Sequence, residues 1–326
     1  MNSFGRIFRV GIFGESHGCC TGVCIDGCPP GTALSEADFE YDMIRRRSGA
    51  EGTTPRREAD APRIMSGVFN GYATGSPVVL MIENSNTRSE DYAQFCEVPR
   101  PGHADFVAGK KYRGFADYRG GGHFSGRLTA GLVAAGVVAK KIIAPVAVSS
   151  KILEIGGSVE WSSVVAECVE THDSAGGIVE CTVSGVPVGW GEPFFDGVES
   201  MIAHIVLAVP AVKGIEFGAG FAAARMRGSE HNDAFCGRDG TTATNHAGGV
   251  NGGITNGNAI VFRTAVKPTS SIARPQQTTN MLTGETVTLE THGRHDACIA
   301  LRIPPVLEAA AAIALADLKM IAASLS

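Results

Sequence analysis

VLEAAAAIALADLKMIAA, residues 306–323, places Ala, Leu and Ile on several faces of the helix it spells. A helix that is apolar nearly all round lies inside a protein, so this stretch is expected in the middle of the fold. SGRLTAGLVAAGVVAKKIIAP, residues 125–145, repeats the theme. There Leu128, Leu132, Val133, Ala135, Val137, Ala139 and Ile143 keep a broad helical face apolar, and Pro145 follows the end. A third helix is predicted to open at Ser35, with Asp38 in a capping-box position and Leu34 and Phe39 as a hydrophobic staple, and to run into Arg45-Arg46-Arg47. A fourth is predicted from Asp196 as cap, with Glu199 at N3, through Val209. Between them lie β-branched runs bounded by Gly, Pro and Asn at 64–68, 77–82, 178–183, 211–217, 259–267 and 286–291, with a further strand-like run, FRVGIF, at 8–13. The strands arrive in groups without strict alternation with helices, which points to an α+β fold rather than a doubly wound one. No repeat, linker or composition break divides residues 1–326, so one domain is expected.

Glycine is abundant, 42 of 326 residues, and 44% of the chain is hydrophobic. That composition can bury a core and excludes a largely disordered chain. The formal net charge of -5 argues against general binding of nucleic acid or anionic membrane. No apolar run reaches the roughly 18 residues of a membrane span, and a soluble, unprocessed, cytoplasmic chain is expected. The nine cysteines are odd in number and scattered, as reduced thiols packed like small hydrophobes would be. Cys20, Cys24 and Cys28 share a regular spacing, but alternation along a strand spoils a common ligand face, and no metal site is assigned.

Two histidines sit on glycine turns: His17 in GESHG (14–18) and His103 in RPGHAD (100–105). Either turn alone is an ordinary polar loop; a pair amid basic clusters suggests proton transfer on an anionic substrate. GESHG lacks the pattern of a nucleophile elbow. Arg45, Arg46, Arg47, Arg56, Arg57 and Arg63 crowd a stretch rich in Gly and Thr, and guanidinium forks pair bidentately with carboxylate or phosphate. Charges at a helix end complementing its dipole would account for Arg45 to Arg47 but not for Arg56 and Arg57. RGGGHFSGR (119–127) opens the predicted helix at 125, where Ser125, Arg127 and backbone amides can receive an anion, unless Ser125 is simply a cap. TNHAGGVNGG (244–253) and KPTSS (267–271) are further loops that allow close backbone approach or present an ammonium beside hydroxyls. GAGFAA (218–223) imitates a dinucleotide fingerprint but leads into no convincing helix and strand.

Taken together these segments resemble the chorismate synthase family. GESHG, RRR and TPRRE between 45 and 58, SGVFNGYATGSP (66–77), RSEDY (88–92), RPGHAD, GVPVGWGEP (185–193), GFAAARMRGSEHND (220–233), NGGITNGNAIVFRTAVKPTSSI (251–272) and GRHDACIALR (293–302) follow that family's motifs in its order, over nearly the whole chain. The resemblance implies an α+β sandwich with helices packed between antiparallel β-sheets, and a homotetramer. It implies a lyase that converts 5-enolpyruvylshikimate 3-phosphate to chorismate and phosphate by anti-1,4-elimination, the last step of the shikimate pathway to aromatic amino acids. It also implies reduced FMN (FMNH2) as cofactor, with NADP entering only through an external flavin reductant. By motif match His17 would protonate the departing phosphate, with Ser16 relaying protons beside it. His103 would adjust the proton state of the flavin, and Asp296 would assist proton transfer at flavin N5. Arg47, Arg56, Arg100, Arg127 and Arg294 match substrate-binding arginines; Ser125, Asn245, Ala247, Lys267, Thr269 and Ser271 match flavin-contacting segments.

Three departures stand out. The usual GGGRSSARET reads GGGHFSGRLT here, placing His123, Phe124 and Leu128 where Arg, Ser and Glu are common. Ser48 replaces a common proline, and the region from about 155 to 175 is short. A regulatory anion-binding protein on the same scaffold, or a flavin oxidoreductase, would be the competing readings. Retention of His17, His103 and Asp296 favours the lyase.

Overall fold

In the computed structural model, residues 2–87, 90–291 and 293–325 are described; Arg88 and Ser89 of the RSEDY segment lie outside them. One antiparallel sheet has the strand order Ser3–Phe4, Arg9–Gly14, Cys20–Asp26, Val78–Glu83, Arg63–Ser66. A second has the order Val212–Phe217, Ile260–Val266, Gly177–Ser184, Ala147–Ile155, again antiparallel. Strand alternation turns Val78, Leu80 and Ile82 inward from the first sheet, and Val179, Cys181, Val183, Ile260 and Phe262 from the second.

The helices are α1 (Glu40–Arg46), α2 (Asp105–Lys111), α3 (Thr129–Ile143), α4 (Ser162–Glu170), α5 (Val198–Leu207), the single turn α6 (Gly228–His231) and α7 (Pro304–Leu325). The long helices α3 and α7 pack along each other; α3 covers the first sheet, while α7 and α5 cover the second. The result is the sandwich of helices between antiparallel sheets that the resemblance implied. Small residues make the central contact possible: a Cβ at Gly136 of α3 would lie 2.3 Å from the Cβ of Ala309 on α7. Every residue of α7 from Pro305 to Leu318 is buried. Its two buried acids are both engaged. Asp317 accepts hydrogen bonds from the backbone amides of Arg6, Ile7 and Phe8, and Glu308 accepts from Arg45, Lys140 and Ser150. No helix of the described residues is long and apolar enough to cross a membrane.

The Ser35 and Asp38 cap forms as expected, although its first turn is a 3-10 turn before α1. Other boundaries move. The cap of α5 is Gly197, not Asp196, because Asp196 belongs to a preceding 3-10 turn and is drawn to Arg6 at 2.6 Å. The expected strand 64–68 breaks at Gly67, whose positive φ holds its Cα where a Cβ would lie 2.5 Å from the Pro77 carbonyl. The segment 286–291 is a strand only over Thr286–Leu289. Sequence periodicity missed α2, α4, and the strands Ala147–Ile155 and Gln276–Thr279. Each is short or lies at a sheet edge, where one-sided burial leaves little pattern.

Candidate active site

A cavity of about 810 Å³ opens where α3 and α7 begin and where the strands Arg9–Gly14 and Ile260–Val266 end. Small-molecule sites span roughly 300–1,000 Å³, so this one can take more than a single small substrate. All the candidate residues line it except Asn245 and Ala247.

Ser16 and His17 project from the turn that ends the strand Arg9–Gly14. The run Gly120, Gly121, Gly122, with positive φ at each, lies directly over them: a Cβ on Gly120 would come within 2.5 Å of His17 Nε2. The Gly122 carbonyl accepts from the Ser16 amide at 3.1 Å, and His123 Nδ1 donates to the Gly14 carbonyl at 2.8 Å. His123 therefore clips the glycine run to the His17 turn, while Phe124 stays in the cavity wall with its ring 6.3 Å from that of Tyr112. In this motif the glycine run packs over His17 and Phe124 supplies an apolar face to the cavity. Tyr92 meets the His17 ring edge-on at 5.2 Å. Burial, and then repulsion from Arg56 and Arg119, pulls the His17 pKa below its ordinary 6.5.

Arg56 reaches Ser16 twice, with Nη1 on its Oγ at 3.1 Å and Nη2 on its carbonyl at 3.2 Å. Its other edge is fixed by Glu58, whose Oε1 accepts from Nε and Nη2 at 3.0 and 2.7 Å. Arg294 donates to the Oδ1 and carbonyl of Asn86 at 2.8 and 3.0 Å. Asp296 accepts from the Thr54 amide at 2.9 Å and faces Arg302 at 3.3 Å.

The second histidine is held differently. His103 Nδ1 donates to Asp105 Oδ1 at 2.6 Å, since an ionised carboxylate only accepts. The tautomer so fixed leaves Nε2 as the ring's basic nitrogen, close to Gly121. Arg100 forks onto both oxygens of Asp105 at 2.8 Å and donates to Ser271 Oγ at 2.9 Å. Burial raises the Asp105 pKa, but the bonds from Arg100 and His103 outweigh it and hold the carboxyl well below the usual carboxylate range. Arg100 is spent largely on this arrangement.

Deeper in the wall, Asp60 receives both Arg46 and Arg127, and all three side chains are buried. Arg127 also donates to Asn84 Oδ1 and the Glu83 carbonyl, so each of its nitrogens is engaged within the protein. Ser125 caps the turn before α3, accepting from the Arg127 amide at 3.3 Å. Lys267 donates to the Ser270 hydroxyl and the Gly102 carbonyl. Two buried polar atoms of the wall, Arg47 Nε and Thr269 Oγ1, have no hydrogen-bond partner among the described residues. They are a donor and a hydroxyl facing an arginine-rich cavity, suited to an anionic ligand.

Asn245 and Ala247 belong elsewhere in the single chain. Asn245 organises its own loop, donating to the Ala259 carbonyl and accepting from the Gly249 amide, both at 2.8 Å. Ala247 lines a separate, smaller cavity with Phe217, His231 and His246. Arg46, of the arginine cluster read from the sequence, lines the main cavity, and so do Thr54, Glu58, Asp60, Tyr92 and Arg302, which had not been singled out for the site. The acids among them had a visible signal: Glu58 and Asp60 alternate along RREAD, inside the arginine-rich stretch.

Comparison with known proteins shows the family of the chain. A family model described as chorismate synthase matches residues 8–320. The chorismate synthase of Chitinophaga pinensis is 61% identical over 322 residues, covering 98% of this chain and 97% of that protein. That of Methanosarcina mazei is 44% identical over 348 aligned positions, covering 97% and 95%. A crystal structure of chorismate synthase is similar with a TM-score of 0.74 at 26% identity, over 97% of this chain and 93% of that one.

Proposed function

Because the chain belongs to the chorismate synthase family of enzymes, whose product closes the shikimate route to aromatic amino acids, we propose that it eliminates phosphate from 5-enolpyruvylshikimate 3-phosphate with reduced FMN bound beside the substrate. The observation that carries the reading is the pairing of His17 and His103 on opposite loops of one arginine-lined cavity, each fixed by its own partners. In the net reaction the C3–O bond to phosphate and the C6–H bond break in a 1,4 sense, and the electron pair of C6–H becomes part of the diene. His17 meets the leaving phosphate. Its imidazole is neutral in much of the unliganded protein, and a phosphate arriving beside it offsets the field of Arg56 and Arg119, favouring the protonated acid. Ser16, with Arg56 on its oxygen, has its own proton free to point at His17 or at the substrate. Arg47, Arg56 and Arg294 supply positive charge for the substrate's carboxylates and phosphate; Arg100 and Arg127 act by holding Asp105 and the site wall.

Lys267, Thr269, Ser271 and Ser125, with Phe124 as an apolar wall, are the residues that would hold FMN, and the unpartnered Thr269 hydroxyl fits that use. Reduced flavin, when bound, supplies electron density to the allylic system and a ring nitrogen at which a proton can be taken up. His103, through its basic Nε2, and Asp296, through its carboxylate, are the groups placed to govern protons at that ring. Asn245 and Ala247 lie outside this cavity and would meet a flavin only across a contact between chains, as a homotetramer allows. The reductant is external and the setting cytoplasmic in this reading.

The test is anaerobic incubation of the protein with substrate and chemically reduced FMN, following phosphate and chorismate together. Equal release of both, with no stoichiometric consumption of reductant, is expected, and His17→Ala is expected to slow it at least about 100-fold. Reductant consumed one for one with product would point to a flavin oxidoreductase instead.

A further inference from the structure

The Glu58 carboxylate joins its own segment to the loop at Ser85 and Asn86, and through Arg56 and Asn86 it reaches Ser16 and Arg294. Its Oε1 accepts from Arg56 Nε and Nη2 at 3.0 and 2.7 Å and from the Asn86 amide at 3.2 Å. Its Oε2 accepts from the Ser85 amide at 3.0 Å and the Ser85 hydroxyl at 2.8 Å. Asn86, so held, receives Arg294 on both its side-chain and backbone oxygens. Arg56, so held, is turned with Nη1 against Ser16 Oγ. The side chain is only 5% exposed, and the carboxyl remains ionised, with its pKa held down to about 2: burial raises it, and the bonds from Ser85 and Arg56 more than reverse the rise.

An acid at this place is otherwise unfavourable. A negative charge beside a cavity that receives anions weakens their attraction by simple Coulombic repulsion. Its presence therefore has to be explained by orientation: a guanidinium with a long flexible stem, left to itself, would swing its fork onto the nearest ligand oxygen. With one edge occupied by Glu58, Arg56 can present only Nη1 and part of Nη2, and both meet Ser16. We infer that Glu58 is a positioning residue, which through Arg56 fixes the Ser16 hydroxyl beside His17 and through Asn86 fixes Arg294, at the expense of some anion affinity. The inference rests on the lyase reading for what Ser16 and His17 do, but the geometry it explains does not.

The experiment separates affinity from turnover in Glu58→Gln, an isosteric change that removes the charge. Binding of inorganic phosphate by calorimetry is expected to be unchanged or tighter, because the repulsive charge is gone. Under the anaerobic assay, kcat is expected to fall at least about tenfold, the effect of losing one charge-assisted hydrogen bond's worth of orientation. A merely structural role would weaken phosphate binding and turnover together, along with the melting temperature, and that result overturns the inference; so does wild-type kcat with tighter phosphate binding. Ser85→Ala, which keeps the charge and removes one tether, provides a second variant should Glu58→Gln fail to fold, and is expected to lower kcat in the same direction by a smaller factor; no change in kcat refutes it. If the wild-type protein releases neither phosphate nor chorismate, the lyase reading itself fails. The inference is then decided by phosphate calorimetry in Arg56→Gln against Glu58→Gln: weaker binding in the first and equal or tighter binding in the second support it, and weaker binding in both overturns it.

Discussion

Replacing Asp60 by Asn removes one negative charge from between two buried guanidiniums. Arg46 and Arg127 are 2% and 6% exposed and both end on this carboxylate. Burial, and then repulsion from Arg302, already works against the charge on Arg46, and Asp60 is the acid that opposes this most directly. Asn keeps the shape and, at the observed φ of 45°, tolerates the left-handed backbone better than most residues, so strain is not the perturbation. Breaking a buried ion pair by removing one partner costs about 3–5 kcal/mol. At roughly 2 °C per kcal/mol, the low end for large domains, the melting temperature is expected to fall by about 6–10 °C. Inorganic phosphate is expected to recover part of that fall, because an anion entering the cavity supplies the missing countercharge to the same arginine cluster. Scanning calorimetry of the two proteins with and without phosphate reads both effects. A melting temperature within about 1 °C of wild type would show that the two guanidiniums reach solvent and that the wall is not the closed ionic assembly described above.

Three further outcomes follow from the site. Asp105→Asn is expected to lower kcat at least about tenfold by releasing the His103 tautomer. It should also flatten the acid side of the stability curve: the wild-type carboxyl has a depressed folded pKa, so its contribution is complete above the unfolded value near 3.9 and is lost as pH falls through the folded value; acid-unfolding curves of the two proteins decide this. For His17 acting as an acid, kcat/KM should decline as pH rises through a pKa lying below 6.5, and in Arg56→Gln that limb should move to higher pH because a repelling charge is gone; a limb that stays put detaches Arg56 from His17. Finally, NADPH with catalytic FMN should not sustain aerobic turnover unless a separate reductase is added, since GAGFAA leads into a 3-10 turn, Gly220–Arg225, rather than the helix of a dinucleotide fold.

The glycine-flanked histidines and the clustered arginines were legible because their residue types and turn chemistry are local. What several of the arginines do was not, because a partner of each is remote in sequence. Arg127 finds Asp60, Arg294 finds Asn86 and Thr54 finds Asp296 across 67, 208 and 242 residues. Such pairings leave no periodicity to read, so Arg127 looked like a ligand-binding group when its hydrogen bonding is internal; Arg100 looked the same, although it forks onto Asp105 only five residues on. The fold shows the same division. The apolar stretches of α3 and α7 announced a buried helical layer, whereas the edge strand Ala147–Ile155, mostly half-exposed, announced nothing. The α5 cap was misplaced by one residue because Asp is a better cap than Gly in isolation, and only the remote Arg6 reveals why Asp196 is otherwise employed.

The position of α7 also dictates an order of events during synthesis. α3 can settle on the first sheet once residue 143 has left the ribosome, but its other side, and the strands Ala147–Ile155 and Gly177–Ser184 of the second sheet, await a helix that starts at Pro304. At about 5–20 residues per second that interval lasts roughly 8–32 s, during which a half-built sandwich displays the apolar surface that later becomes its centre. The bonds from Asp317 back to Arg6, Ile7 and Phe8 then tie the earliest strands to the latest helix. A chain that stops before α7 therefore leaves uncovered the apolar faces of α3 and α5 that α7 buries in the finished fold.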